Sequence, residues 1–310
     1  MIIEKELARH RPCPPTLLTI GVFDGVHRGH LHLLGQLAER AREKTCLAGV
    51  VTFKTHPEKV LGRRDTLPWI CTLQERVRLL KAAGMGVVAP VTFTRGVAQL
   101  TARDFVLLLK KNLNMQGLVL GPDFALGRGR QGSQEYLQQL GDELGFRVEA
   151  VRPAKLEGQV ISSSAIRQLL TEGQISGVND MLGRRFSLDG RVVQGDQRGR
   201  TLGFPTANLK VQPEQAMPKD GIYATLAHVG GRLLPSVTNI GVRPTFDGLK
   251  HLIETFIFDF NEDIYRRKLT IELAARLRDE MKFHSVDELK DQMARDVIRA
   301  KEILDNRSLQ

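Results

Sequence analysis

The sequence predicts an α/β fold in two parts: a parallel sheet covered by helices, then a small antiparallel β-barrel followed by a C-terminal helix. Two observations carry this. Through the first half, apolar runs alternate with segments of helical periodicity, whereas from about Phe186 strand-like stretches follow one another closely. The pair Gly230-Gly231 between two of those stretches is a hairpin signal, which makes its neighbours antiparallel.

In the first half Thr16–Phe23, Cys46–Phe53, Val87–Phe93, Gly117–Gly121 and Arg147–Arg152 read as strands. Between them Leu34, Leu37, Ala38 and Ala41 recur at helical spacing, as do Leu73, Val77 and Leu80. Thr72 with Glu75, and Thr101 with Asp104, have the capping-box spacing that opens a helix. Strand–helix alternation of this kind builds βαβ units, whose ligands bind beyond the carboxyl ends of the strands. In the second half Phe186–Gln194, Gly221–Val229, Arg232–Ile240, Ile253–Phe260 and Lys268–Ala274 read as strands of a small closed barrel. Ser285 and Glu288 then cap a last helix carrying Leu289, Met293 and Val297. A domain boundary is expected near Gly183, giving parts of 1–182 and 183–310.

The 310 residues are 42% hydrophobic and 26% charged, the composition of a globular protein. No apolar run approaches the roughly 18 residues of a membrane span. The segment Met1–Pro15 lacks an apolar signal core, and Cys13, Cys46 and Cys71 share no metal or disulfide spacing, so a reducing cytoplasm is the expected home. The 45 Lys and Arg exceed the 35 Asp and Glu by a net charge of +10. Nucleic acid would use that charge, but the chain has one Trp and three Tyr for stacking and its basic residues are dispersed. Phosphorylated small molecules account for the charge more simply, with neither nucleic acid nor membrane as partner.

The stretch Gly21-Val22-Phe23-Asp24-Gly25-Val26-His27-Arg28-Gly29-His30 carries the chemistry of the first part. A strand end, a glycine-bearing turn and a helix start place free N–H groups at the sheet's ligand edge. His27 and His30 lie one helical turn apart and can face one anion, and histidine donates hydrogen bonds to charge developing on a phosphoryl group. A metal pair and chance surface histidines are the competing readings. Gly121–Arg130, rich in glycine and arginine, suits a loop over polyphosphate, or is simply a basic surface loop. Ile161-Ser162-Ser163-Ser164-Ala165-Ile166-Arg167 sets three hydroxyls at a helix start, more than N-capping needs. In the second part, strand alternation puts Glu254 on the face carrying Phe256, Phe258 and Phe260, where apolar surroundings favour a proton acceptor. Thr206 and Asn208 offer oxygens on one face of an extended segment, suited to a hard cation, although Pro205-Thr206-Ala207-Asn208 reads equally as an edge turn.

These stretches occur in a family order. With Thr52–Pro57, Gly195-Asp196-Gln197-Arg198-Gly199-Arg200, Gly203–Asn208, Asn239–Thr245 and Leu277–Phe283, the chain from Thr16 to Leu304 resembles the bacterial bifunctional riboflavin kinase/FAD synthetases. The resemblance implies a Rossmann-like nucleotidyltransferase domain over 1–182 that joins FMN to ATP, giving FAD and pyrophosphate. There it implies His27 and His30 as catalytic groups, with Gly21, Phe23, Asp24, Gly29, Asp123, Gly127, Arg128, Ser162, Ser163, Ser164 and Arg167 binding nucleotide and Phe53 and Phe124 binding flavin. Over 183–310 it implies a flavokinase-like barrel that phosphorylates riboflavin with ATP and Mg²⁺. Glu254 is then the base, Gly195, Arg198, Gly203 and Pro205 contact nucleotide, Thr206 and Asn208 ligate Mg²⁺, and Arg278 and Phe283 contact flavin. Two positions depart from the family pattern: Val22, where Asn is commoner, and Thr55, where Pro is. The departure at Thr55 is expected to loosen its loop. A chain with one working module, or a basic nucleotide- or RNA-binding protein without activity, are the alternatives. A class I aminoacyl-tRNA synthetase, which uses a similar histidine motif, is disfavoured because no K-M-S-K-S counterpart follows.

Overall fold

Strands β1 (Thr16–Gly21), β2 (Leu47–Phe53), β3 (Val87–Val91), β4 (Met115–Leu120) and β5 (Arg147–Ala150) form one parallel sheet in the order β3-β2-β1-β4-β5. The structure is a computed structural model that describes residues 1–12, 14–63, 67–121, 124–156, 158–195, 199, 202–245 and 248–306. Two units divide it, Met1–Ser163 and Ser164–Gln310.

In the first unit the helices are α1 (Ile2–Ala8), α2 (Arg28–Glu43), α3 (Pro57–Val60), α4 (Leu73–Ala82), α5 (Arg95–Ala98), α6 (Ala102–Leu113) and α7 (Gln134–Leu144). Alternate side chains of the buried strands feed two apolar layers. Leu18, Ile20, Val51 and Leu118 join α1, α6 and α7 on one face. Leu17, Val50, Val88 and Val119 join Leu34 and Leu37 of α2 and Leu80 of α4 on the other. Both expected capping boxes form: Thr72 Oγ1 accepts from Glu75 N at 3.2 Å, and Thr101 Oγ1 from Asp104 N at 3.0 Å. Helix α1 is an addition to the sequence reading. It buries Ile3 and Leu7 completely, each worth roughly 1.5–3 kcal/mol. Its Glu6 accepts from Lys54 Nζ at 2.7 Å, Thr92 N at 2.7 Å and Thr92 Oγ1 at 2.8 Å. Burial acts to raise the Glu6 pKa, but Lys54 and Thr92 outweigh it and hold the carboxyl below its ordinary value.

β1 lies between β2 and β4, where the strand order reverses, so a crevice opens beyond its carboxyl end. A small hairpin, β6 (Lys155–Leu156) with β7 (Gln159–Val160), precedes α8 (Ser163–Glu172) and α9 (Ile175–Leu182). The units part at Ser163/Ser164, earlier than the expected boundary near Gly183. The reason is in the packing: Asn179 of α9 donates to Leu273 O at 3.0 Å and accepts from Phe186 N at 2.8 Å, which ties these helices to the barrel strands.

The second unit is a closed barrel of β8 (Phe186–Val193), β9 (Thr206–Val211), β10 (Gly221–Val229), β11 (Arg232–Thr245), β12 (Gly248–Ile257) and β13 (Lys268–Arg278), in the order β10-β11-β12-β9-β8-β13. The segment Thr206–Val211, open between a turn and a magnesium-binding stretch in the sequence, is a full barrel strand paired with both β12 and β8. Inside, Thr225, Ser236, Thr238 and Thr255 are fully buried and linked hydroxyl to hydroxyl at 2.8, 2.8 and 3.0 Å. Outside, α10 (Val286–Asn306) packs Ala300 and Leu304 on Ile222, Ala224 and Phe258. Ser285 caps α10 through Glu288 N at 3.1 Å, as its spacing predicts.

Candidate active sites

The first site is built where β1 ends. Gly25, at φ 78°, turns the chain, and Phe23 and Val26 share positive φ at 52° and 39°. A side chain at Gly25 would be strained at that φ, and its Cβ would fall 2.9 Å from Ile70 Cγ2, so both backbone and space favour glycine. Two pins hold this turn. Asp24, only 2% exposed, accepts from Ile70 N at 3.1 Å and Cys71 N at 3.4 Å. Arg76 Nη1 donates to Val22 O at 3.0 Å and Phe53 O at 2.8 Å. The turn delivers His27 as the N-cap of α2, its Nδ1 accepting from His30 N at 3.3 Å. The two imidazoles stack at 3.6 Å and 16°, so both rings stand together at the positive end of α2.

Several residues expected at the nucleotide have other local work. The Asp24 carboxylate faces the Ile70 and Cys71 amides rather than the crevice, because its turn needs an acceptor there. Phe23 is buried in the core, its ring 5.0 Å from that of His30, and serves as backing for the histidine. A Cβ on Gly29 would meet His27 Nδ1 and Ile161 O, each at 3.1 Å, so glycine there admits close packing of the protein itself. A Cβ on Gly21 would press on the Phe23 ring at 3.0 Å. Ser163 Oγ donates to Asp24 O at 3.0 Å, and Ser162 immediately precedes it. Ser164 and Arg167 follow on α8 in the second unit. Gly127, at φ 80°, leads into a single turn at Arg128–Arg130, and Arg128 is exposed. Phe53 is buried against Phe93 at 5.2 Å, edge to face, and Phe124 packs beside the same core. Asp123 and Arg198 lie outside the described residues.

Both family departures have structural answers. Val22 acts through its carbonyl, which also accepts from Thr52 Oγ1 at 2.8 Å. Thr55 does not loosen its loop by lack of a tether, for its hydroxyl donates to Phe93 O at 2.7 Å. Arg76 was not singled out in the sequence. It is 1% exposed, rests 4.2 Å from the Trp69 ring, and meets no carboxylate among the described residues.

The second site is a cavity of about 920 Å³ between the outer barrel wall and α10. Register explains its wall. Glu254 on β12 stands opposite Asn208 on β9 and Asn239 on β11, and all three line the cavity. Ile253 and Thr255 alternate inward, so Glu254 and Phe256 point outward with Leu252. Phe204 meets Phe256 edge to face at 5.3 Å. The expected apolar face holds for Phe256 and Phe258, whose rings lie 5.8 Å apart in the cluster against α10, and fails at Phe260: β12 stops at Ile257, and Phe260 lies under Arg232 at 5.7 Å. Asn208 is cradled by Gly195, whose missing Cβ would fall 2.2 Å from Asn208 Nδ2. Gly203, at φ 86°, and Pro205 turn the chain into β9, bringing Thr206 to the same wall. Thr206 and Asn208 are hard, neutral oxygen donors beside a carboxylate, a set that fits Mg²⁺ sharing its shell with phosphates and water.

Arg278, expected at flavin, is anchored away from free solution: its Nε and Nη2 pair with Asp296 of α10 at 2.9 and 2.7 Å, and Nη1 donates to Asp279 O at 2.9 Å. Its Cζ lies 6.0 Å from the Phe283 ring, and both residues line the cavity. The family stretches Asn239–Thr245 and Leu277–Phe283 also bring Asn239 and Glu280 to this wall, two residues to which the sequence assigned no role; the Glu280 carboxylate lies against Gly241.

Comparison with known proteins follows this division. Residues 10–165 match the FAD synthetase family model and residues 182–304 the riboflavin kinase model. The bifunctional riboflavin kinase/FMN adenylyltransferase of Escherichia coli (strain K12) is 40% identical over 92% of each chain. That of Bacillus subtilis (strain 168) is 35% identical over 91% of this chain and 90% of its own. A crystal structure described as a macrolide-efflux protein from Streptococcus pneumoniae superposes with a TM-score of 0.87 at 33% identity, covering 96% of both chains. Among the described residues no helix is long and apolar enough to cross a membrane. Two family models matched in tandem, each on the unit whose geometry suits it, and relatives aligned almost end to end leave one assignment: the chain belongs to the bifunctional riboflavin kinase/FMN adenylyltransferase family.

Proposed function

We propose that this chain makes FAD from riboflavin in two ATP-dependent steps, one at each site. The observation that carries the reading is the row Asn208–Glu254–Asn239 on one cavity wall, a carboxylate set between two amides. In the first step Glu254 takes the proton of riboflavin's terminal hydroxyl as that oxygen attacks the γ-phosphorus of ATP; FMN forms and ADP leaves. Thr206 and Asn208 would hold Mg²⁺, which, when bound, neutralises charge on the phosphates. Gly195 and Gly203 shape the loops beside it, and Phe283 and Arg278 border the flavin end.

In the second step a phosphate oxygen of FMN attacks the α-phosphorus of ATP, and pyrophosphate leaves. No enzyme nucleophile is needed, so the protein's contribution is position and charge. His27, His30 and the amino end of α2 meet the ATP phosphates, and Ser162 and Arg128 border them. The functional boundary falls at 182/183, supported by the riboflavin kinase match beginning at residue 182. On this reading the chain works in the cytoplasm, where its co-substrate ATP is supplied.

The test is incubation with riboflavin, ATP and Mg²⁺ and separation of the flavins. FMN and FAD are both expected. Glu254→Gln should lower FMN formation by roughly a hundredfold or more while FMN supplied directly is still converted to FAD. His30→Ala should do the reverse. Equal loss of both activities in either variant would refute the division of labour.

A further inference from the structure

Asn239 lines the kinase cavity beside Glu254, and no function has yet been given to it. Its register partner is Glu254 itself, so the two side chains leave adjacent strands with Cβ atoms roughly 4.5–5.5 Å apart. Thr238 and Thr255, the preceding and following residues on those strands, are fully buried in the barrel's hydroxyl network, which leaves Asn239 and Glu254 facing outward together. The Asn239 amide makes no hydrogen bond with any described residue, and its Oδ1 is shielded from water without a partner. A buried amide oxygen with no donor is costly, and in a native site it calls for a reason. Because neither end of the amide bonds a described residue, rotation about its last torsion can turn the oxygen into the cavity at little cost.

The oxygen would then stand next to the Glu254 carboxylate. Two neighbouring acceptors are complementary to two neighbouring hydroxyls. Fully ionised phosphate groups offer only acceptors, whereas the sugar-alcohol side chain of riboflavin offers hydroxyls on adjacent carbons. Glu254 takes the terminal one. We infer that Asn239 accepts a hydrogen bond from the hydroxyl next to it, the 4′-hydroxyl, and so selects acceptors bearing that group and fixes the attacking oxygen's approach. This inference rests on the kinase reading above and extends it to the substrate side chain.

The experiment uses the full chain with saturating ATP and Mg²⁺ and compares kcat/KM for riboflavin and 4′-deoxyriboflavin. The unaltered protein should prefer riboflavin by about tenfold, the scale of one buried hydrogen bond. Asn239→Ala should lower kcat/KM for riboflavin by about as much and bring the ratio near one. Asn239→Asp keeps an acceptor oxygen and should keep the preference, with the acid limb of its pH–rate profile moved upward by the second carboxylate. Conversion of FMN to FAD should be unchanged in both. If Asn239→Ala fails to fold its barrel, the unaltered protein still decides the matter, since equal use of the two flavins overturns the inference. A preference retained in Asn239→Ala overturns it too. So does a variant whose altered discrimination is against 2′-deoxy-ATP, which would mean the amide reads the nucleotide. Absence of any riboflavin phosphorylation would instead sink the kinase reading itself.

Discussion

Replacing Gly195 with alanine is a sharp test of how the kinase wall is built. The backbone at Gly195 is not left-handed, so alanine is conformationally allowed and only space opposes it. The added Cβ would lie 2.2 Å from Asn208 Nδ2, 2.4 Å from Cγ and 2.6 Å from Oδ1, whereas real Cβ contacts essentially never fall under 3.0 Å. The Asn208 amide must therefore retreat by about an ångström, a displacement of the size that costs roughly a hundredfold in rate when it moves a group at the reaction centre. That corresponds to about 2.7 kcal/mol in kcat/KM for riboflavin. Overpacking should also lower stability by about 1–3 kcal/mol. The assay is FMN formation from riboflavin, with conversion of supplied FMN to FAD as the internal control. If Gly195 acts through Asn208, then Gly195→Ala in an Asn208→Ala background should cost almost nothing more. Near-parental FMN formation, or an equal further loss in the Asn208→Ala background, would refute the cradle.

Two further outcomes are expected in the first unit. Arg76→Met removes the Nη1 bonds to Val22 O, Phe53 O and Thr52 Oγ1 but also relieves a buried cation that meets no described carboxylate, so stability by denaturant melts should change by less than about 2 kcal/mol. FAD formation should fall about tenfold as the histidine turn loses a pin, and a parental rate would show the guanidinium is not needed there. Glu6→Gln should cost about 1–2 kcal/mol at neutral pH. Because the folded pKa of Glu6 lies below the ordinary 4.5, its contribution is complete above that value and disappears as pH falls through the lower folded one. Melts of parent and variant should thus converge in acid; a gap that widened there would contradict the sign.

The parallel sheet was legible because strands buried on both faces are near-continuous apolar runs, as Thr16–Gly21 and Leu47–Phe53 are but for Thr16, Thr19 and Thr52. The capped helices were legible because Thr72 and Thr101 announce themselves by spacing. β9 was harder: Pro205 stands at its entrance, and Thr206 and Asn208 are polar for the sake of the cavity rather than the core. The short α1 escaped because only two of its three buried side chains, Ile3 and Leu7, are apolar, too few in seven residues to make a clear period. In the sites, the histidines and Glu254 could be found from motif and alternation. Arg76 could not, since Glu75-Arg76-Val77-Arg78 reads as a solvated helix face and only the fold carries one of its arginines inward. Asn239 was hidden for another reason: its importance comes from which residue lies across from it, and register is a property of two strands at once.

The hydroxyl lacing inside the barrel bears on how freely this enzyme can change. Thr225, Ser236, Thr238 and Thr255 fasten β10, β11 and β12 at a single offset, since a slip by one position would drive all four into the wrong layer. Residues on the opposite side of the same strands can then be exchanged without disturbing their alignment. If Asn239 reads the acceptor as inferred above, preference for the flavin is thereby separated from strand alignment, and analogues would be accommodated by editing the outer row.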